Sequence, residues 1–252
     1  MKIGLFQYSP TWEDIATNKS KVSEIISKHN QKFDLIIFPE MTLTGFTMNS
    51  KTFAEGLDGE CTKFFLQLSH KLKTNIIAGI IESDNGKIFN SAVHFFDGLV
   101  MARYHKIHPF SLAGENKFYS DSKETVITKI DITKIGLSVC YDLRFPELYR
   151  KYGKERVEMM INIANWPIPR IEHWKTLLKA RAIENLCYMI GVNRTGSDPN
   201  VHYNGCSSVF SPSGEELLCV ENEEGLFEIE IDIEAVAQAR NKFNFLEDIR
   251  LI

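Results

Sequence analysis

IGLSVCYDLRFPELYR, residues 135–150, decides how this chain is read. Ile135, Leu137 and Val139 alternate with Gly136 and Ser138, the period of two of a half-buried strand, and the apolar run stops at Cys140. Pro146 then suits the first turn of a helix, where its missing N–H costs nothing. The stretch predicts a strand, a sharp turn and a helix. Such a turn holds a thiol at a strand end and aims the following backbone N–H groups outward, which favours a thiolate and a developing oxyanion. That is a nucleophile's position; the other reading is a buried, inert cysteine, since free Cys is among the most buried residue types.

Outward from this stretch, helical and strand patterns alternate. Lys2–Gln7 reads as a strand, residues 14–30 as a helix with Val22, Ile25, Ile26 and His29 on one face, and residues 35–38 as a strand buried on both faces, ending at Pro39 and Glu40. Residues 62–73 carry Phe64, Phe65, Leu68 and Leu72 at helical spacing. Asn85-Gly86 and Asp97-Gly98 are hairpin turns separating strands near 76–81, 89–95 and 99–105, so the sheet is mixed. Residues 106–124 have no sustained period and read as an ordered loop. Strands follow at 126–130, 135–139 and 159–163, a loop at 164–170, a helix at 172–184 and a strand at 188–193. Residues 194–206 read as a polar loop punctuated by glycine. Strands at 208–210, 216–220 and 226–231 and a short helix near 233–240 complete the pattern, and the tail 241–252 mixes aromatic, aliphatic and charged residues as a docked segment does. With no internal repeat or linker, the expectation is one α/β domain over residues 1–252, helices covering mixed sheets.

Composition narrows the function. The formal net charge is −4 and no block of basic residues is present to track a phosphate backbone, so nucleic acid is not an expected partner. The N-terminal apolar run is too short for a signal peptide and meets Glu13 and Asp14, which points to a cytoplasmic protein with no membrane partner. Cys61, Cys140, Cys187, Cys206 and Cys219 are odd in number and lack paired CxxC spacing; neither a disulfide framework nor a cysteine zinc cluster is indicated. His105 and His108 have the spacing of a metal pair but no clear third ligand.

Glu40, Lys106 and Cys140 each fall where an apolar strand gives out, and ligand sites of α/β sheets lie beyond strand ends. Together they are the set that splits an amide: a thiol to attack, a carboxylate to move the proton, a cation for the oxyanion. Singly, Glu40 also reads as a turn cap and Lys106 as a solvated charge.

The segments FPEMTLTGF (38–46), YHKIHPF (104–110) and CYDLRFPELYR (140–150) resemble, in order and spacing, the three signature blocks of the nitrilase superfamily of carbon–nitrogen hydrolases. The resemblance implies a four-layer α-β-β-α sandwich, a catalytic triad of Glu40, Lys106 and Cys140, and a homodimer or higher homo-oligomer with the C-terminal tail, about 241–252, at the interface. It implies no metal and no organic cofactor. Glu115 resembles the second glutamate placed beside the lysine, and Asn165 and Trp166 occupy a loop that lines the pocket in the family. The backbone N–H of Tyr141 is expected to join Lys106 in holding the oxyanion.

Within the superfamily, HPFSLAGENKFY (108–119), IANWPIPRIEHWKTLLKARAIEN (163–185), GVNRTGSDPNVHYNGCS (191–207) and KFNFLEDI (242–249) look like the bacterial ω-amidase type, whose substrates are small ω-amides such as α-ketoglutaramate. Cys206 departs from that pattern where Asp is expected. An ω-amide carries a distal carboxylate, which wants an arginine; Arg144, Arg181 and Arg194 qualify, and Arg194, opening a polar loop after a strand, is favoured. The alternatives are N-carbamoyl-amine hydrolysis, deaminated-glutathione amidase activity, or a non-catalytic binding protein on the same scaffold.

Overall fold

The computed structural model describes residues 1–251; of the tail 241–252, Ile252 lies outside the described residues. The strands are β1 (Lys2–Gln7), β2 (Leu35–Ile37), β3 (Asn75–Asp84), β4 (Lys87–Phe96), β5 (Leu99–His105), β6 (Ile127–Ile130), β7 (Thr133–Val139), β8 (Met159–Ala164), β9 (Tyr188–Asn193), β10 (Thr195–Ser197), β11 (His202–Phe210), β12 (Glu216–Glu221) and β13 (Gly225–Glu230). The helices are α1 (Ile15–Ser27), α2 (Ser50–Phe53), α3 (Glu60–Leu72), α4 (Pro146–Lys154), α5 (Ile171–Asn185) and α6 (Glu234–Lys242). Among the described residues, no helix is long and apolar enough to cross a membrane.

The strands form two sheets, β13-β1-β2-β3-β4-β5 and β10-β11-β9-β8-β7-β6, with β12 beside β11. Both are mixed: β1, β2 and β3 run parallel and the hairpins β3-β4-β5 antiparallel, while β7, β8 and β9 run parallel between antiparallel neighbours. Period-two alternation explains the layering. Ile3 and Leu5 of β1, and Leu35 and Ile37 of β2, face the second sheet and share its core with Leu137, Ile161 and Ile190. Phe6, Ile36 and Phe38 point the other way, onto Val22 and Ile26 of α1 and Phe65 and Leu68 of α3. On the far side, Leu148 and Tyr152 of α4 and Trp174 and Leu178 of α5 cover β7, β8 and β9. The continuous apolar runs of β2 and β8 follow from burial on both faces.

One expectation is corrected. Residues 194–206 are not a loop: β10 pairs with the start of β11 in register Thr195↔Asn204 to Ser197↔His202. The hairpin escapes a hydrophobic pattern because its buried residues, Asn193, Arg194, Thr195, Asn204, Ser207 and Ser208, are polar and are held by hydrogen bonds more than by apolar packing. Arg240 of α6 donates to the carbonyls of Leu186, Arg156 and Val157, tying the last helix to the second sheet. In the tail, Leu246 is buried and Glu247 pairs with Arg156, while Phe243, Phe245 and Leu251 stay exposed.

Gly79, in the middle of β3, fixes where β2 delivers its following loop. Its N–H donates to the Pro39 carbonyl at 3.3 Å and its carbonyl accepts from Thr42 N at 2.9 Å, drawing the backbone of Glu40 and Met41 against the strand. A Cβ there lies 2.3 Å from Met41 N and 2.7 Å from Glu40 Cα, with backbone atoms on the receiving side. Gly79→Ala is therefore expected to destabilise the fold by about 2–3 kcal/mol through overpacking, read from the midpoint of urea unfolding.

Candidate active site

Cys140 directly follows β7, Lys106 directly follows β5, and Glu40 follows β2 after Phe38 and Pro39; the packing of the two sheets brings these ends together. The turn after β7 is a helical 3-10 turn over Cys140–Arg144, and Pro146 opens α4 only after it. Cys140 itself adopts a left-handed backbone, φ 48°, a conformation that a non-glycine residue holds only when its surroundings enforce it.

Asp142 is the enforcing group. Its carboxylate, fully buried, accepts from the Val139 N–H at 3.0 Å, the His108 N–H at 2.9 Å and the Tyr104 hydroxyl at 2.7 Å, and contacts His108 Nδ1 at 2.8 Å. The turn is thereby pinned both to its own strand and to the end of β5. Asn162 of β8 reaches the Cys140 carbonyl at 3.5 Å.

Beneath the thiol lies a sealed ionic cluster. Lys106 Nζ donates to Glu40 Oε1 at 2.9 Å and to Glu115 at 2.9 and 3.1 Å, and all three side chains are essentially inaccessible to solvent. Asn90, inside β4, donates to Glu40 Oε1 at 2.7 Å and to Glu115 Oε1 at 2.8 Å. Glu115 also accepts from the Phe110 N–H at 2.5 Å, and Glu40 Oε2 from the Asn165 N–H at 2.8 Å. Burial opposes ionisation of Glu40, yet the charge of Lys106 and these donors outweigh it and hold its carboxyl below the usual range. Lys106 likewise resists the neutralising effect of burial because Glu115 and Glu40 flank it, and its ammonium is held well above its ordinary range. Cys140 is pushed the other way: burial and then the Glu40 charge raise its thiol well above the ordinary value, against the pull of Lys106. At rest the set is carboxylate, ammonium and neutral thiol.

Above the thiol opens a pocket walled by Phe46, Phe110, Tyr141, Trp166, Arg144 and Arg170, with Asn165 and Tyr203 completing it. The Arg144 guanidinium lies 4.8 Å from the Trp166 ring and 5.9 Å from that of Tyr141, and contacts His173 Nδ1 at 3.3 Å. Arg170 sits 5.3 Å from the Phe110 ring.

The geometry thus gathers Glu40, Lys106, Glu115, Cys140, Tyr141, Asn165 and Trp166 at one place. It does not bring Arg194 there. Arg194 is fully buried behind the pocket, donating to the carbonyls of Thr195 and Ser197 and stacking 4.4 Å from the Tyr203 ring; it holds the β10–β11 hairpin. Its position after a strand misled because the following residues pair instead of looping. Arg181 is also committed, to Glu184 and the Leu143 carbonyl. The two histidines with metal-like spacing part company: His105 contacts Glu82 and His108 contacts Asp142.

The carbon-nitrogen hydrolase family model matches residues 2–241. This chain is a carbon-nitrogen hydrolase. It is 31% identical over 251 residues to the 2-oxoglutaramate amidase of Bacillus subtilis, covering 98% of this chain and 97% of that protein. It is 33% identical to the omega-amidase YafV of Yersinia enterocolitica, covering 98% and 96% of the two chains. Among solved structures, that of XC1258 from Xanthomonas campestris, a CN-hydrolase superfamily protein with an arsenic adduct in its active site, matches with a TM-score of 0.95 and 31% identity, covering 100% of this chain and 98% of that one. The two-sheet sandwich flanked by helices is the nitrilase fold expected from the sequence.

Asn90, Asp142 and Arg170 were not singled out for the hydrolase site by sequence. Asn90 shares its strand with Ser91 and His94, so its residue type alone gave no signal. Asp142→Ala in this hydrolase strands the donors of Val139, His108 and Tyr104 in the interior; a stability loss of about 3 kcal/mol is expected, measured by urea unfolding, from unsatisfied buried groups costing about 1–3 kcal/mol each.

Proposed function

We propose that this hydrolase cleaves the terminal amide of a small carboxylic acid, as an ω-amidase acting on substrates of the α-ketoglutaramate type, through a thioester on Cys140. The observation that carries the reading is the Glu40–Lys106–Glu115 cluster sealed beneath a thiol that opens into a pocket bearing two arginines. Glu40 accepts the proton of Cys140 as the sulfur attacks the carboxamide carbon. Lys106 and the Tyr141 N–H, near the start of a helical turn whose first N–H groups have no partner within it, stabilise the oxyanion; loss of one such donor costs about 3–4 kcal/mol. Glu40 returns the proton to the leaving ammonia, then takes one from the water that opens the thioester. Glu115 keeps Lys106 charged and aimed. The side chains supply each step, so the scheme calls for no metal or organic cofactor.

The substrate's distal carboxylate is assigned to Arg144, aided by Arg170, in place of Arg194. Arg144 lines the pocket, and its contact to a single ring nitrogen of His173 leaves the rest of its donor fork for a carboxylate. Asn165 fixes Glu40 from the β8 side and Trp166 forms the wall against which the substrate chain lies. The reading includes a cytoplasmic homodimer joined in part by the tail, supported by the exposed Phe243, Phe245 and Leu251.

Ammonia release tests the substrate assignment, with α-ketoglutaramate compared against succinamate, glutamine, N-carbamoyl-β-alanine and deaminated glutathione. Cys140→Ala is expected to abolish turnover. Arg144→Ala is expected to raise KM for α-ketoglutaramate about 10- to 100-fold, the worth of a charge-assisted bond of about 1.5–3 kcal/mol, while changing little for an amide without a carboxylate. Dominance of N-carbamoyl-β-alanine or deaminated glutathione would overturn the substrate and keep the chemistry.

The pH dependence of kcat/KM follows from the same cluster. Glu40 must be ionised, and its pKa is depressed, so activity is lost only as pH falls below the ordinary carboxylate value of 4.5. Cys140 and Lys106 must be protonated, and both pKa values are raised, so the alkaline loss comes only above the ordinary thiol value of 9.0. A plateau between these limits is expected in initial-rate measurements on the free enzyme.

A further inference from the structure

Two thiols outside the pocket, Cys206 and Cys219, meet across β11 and β12. The register between these strands runs Ser208↔Cys219, Ser207↔Val220 and then shifts to Gly205↔Glu221. The shift makes Cys206 the extra residue of a β-bulge, and Cys206 takes a left-handed backbone, φ 57°, directly after Gly205 at φ 76°. Bulges re-aim the side chain of the residue left out of the ladder. Ser208 stands opposite Cys219, so Cys206, two residues before it, is a diagonal neighbour of Cys219 across the strand pair, within reach for the two thiols to influence each other.

The pair has an inner and an outer sulfur: Cys206 is 2% exposed, whereas Cys219 is half-buried and reached from solvent. Asn204 Nδ2 donates to Cys206 Sγ at 3.6 Å, and Ser208 Oγ donates to the Cys206 carbonyl at 2.9 Å. The charged groups facing the pair are Lys175 of α5 and Glu216 and Glu221 of β12. The neighbouring Cys206 thiol outweighs burial and lowers the Cys219 pKa. Cys61, Cys140 and Cys187, in contrast, are pushed up by burial. Of the two thiols, Cys219 is the one that solvent reaches, and Cys206 is the buried neighbour beside it on the next strand.

We propose that Cys206 and Cys219 form a redox-responsive dithiol, distinct from Cys140, which a peroxide converts to a disulfide joining β11 to β12. The Cys219 thiolate attacks one oxygen of hydrogen peroxide; the O–O bond breaks, hydroxide leaves and Cys219 becomes a sulfenic acid. Cys206 gives up its proton and attacks the Cys219 sulfur, the S–O bond breaks, and water departs as the S–S bond forms. The two thiols lose two electrons and the peroxide is reduced to water. The left-handed bulge at Cys206 keeps backbone constraint at the bridge, which makes a disulfide easier to reduce and suits a reversible mark over a permanent staple.

The test is treatment of the full chain with equimolar hydrogen peroxide at neutral pH, alkylation with iodoacetamide, and intact-mass and peptide mapping. The expected product has lost two hydrogen atoms, yields one crosslinked peptide pair containing Cys206 and Cys219, and returns to the starting mass with dithiothreitol. It forms equally in Cys140→Ala, which separates this proposal from any result on amide turnover. In Cys206→Ser, Cys219 is expected to stop as a sulfenic acid trapped by dimedone. Recovery of both cysteines as alkylated thiols in both backgrounds would overturn the proposal, and so would a trapped Cys219 sulfenic acid in the parent chain without the crosslink.

Discussion

The Lys106 ammonium, buried between the carboxylates of Glu40 and Glu115, is the interaction on which the site depends. Burying one carboxylate alone carries a penalty of several kcal/mol and is ordinarily avoided by protonation. Here one cation serves two acids, Asn90 bridges both from β4, and the Phe110 and Asn165 N–H groups satisfy further oxygens. Removing Lys106 leaves two acids facing each other in the interior, and removing either acid leaves the ammonium a single partner. The cluster consequently fixes the relative positions of β2, β4, β5 and β8 at their site-facing ends as firmly as the apolar core fixes their middles.

That electrostatic lock is usable only because the backbone delivers its members closely. Gly79 lets the Glu40 loop lie against β3. Asp142 holds Cys140 in a left-handed turn above it. The same carboxylate accepts from Tyr104 and His108, on either side of Lys106, so the Cys140 turn and the lysine are tied together.

Much of this was legible in the sequence, because strand periodicity ending at Glu40, Lys106 and Cys140 is a local pattern, and hairpin turns such as Asn85-Gly86 carry their own chemistry. What resisted reading was set by partners distant in sequence. Arg194 looked like a free cation after a strand, but its carbonyl partners and Tyr203 lie on a hairpin held by buried polar side chains that leave no hydrophobic period. Arg144 and Arg170 differ from it only in which way the folded chain turns them. Asn90 and Asp142 act through donors and acceptors on other strands, so residue type alone does not distinguish them from surface polar groups. The bulge at Cys206 is invisible for a similar reason: register belongs to two strands and neither sequence alone contains it.

The cluster of two carboxylates and one ammonium carries a surplus negative charge inside the protein. An amide enters beside that charge as a neutral dipole, but hydrolysis there creates a carboxylate within the same low-dielectric space. The acid is thus formed where like charge repels it, at an effective dielectric that strengthens the repulsion well beyond its value in water. At the reacting end the site thus favours the neutral amide over the acid it becomes, while Arg144 and Arg170 line the same pocket with the opposite charge.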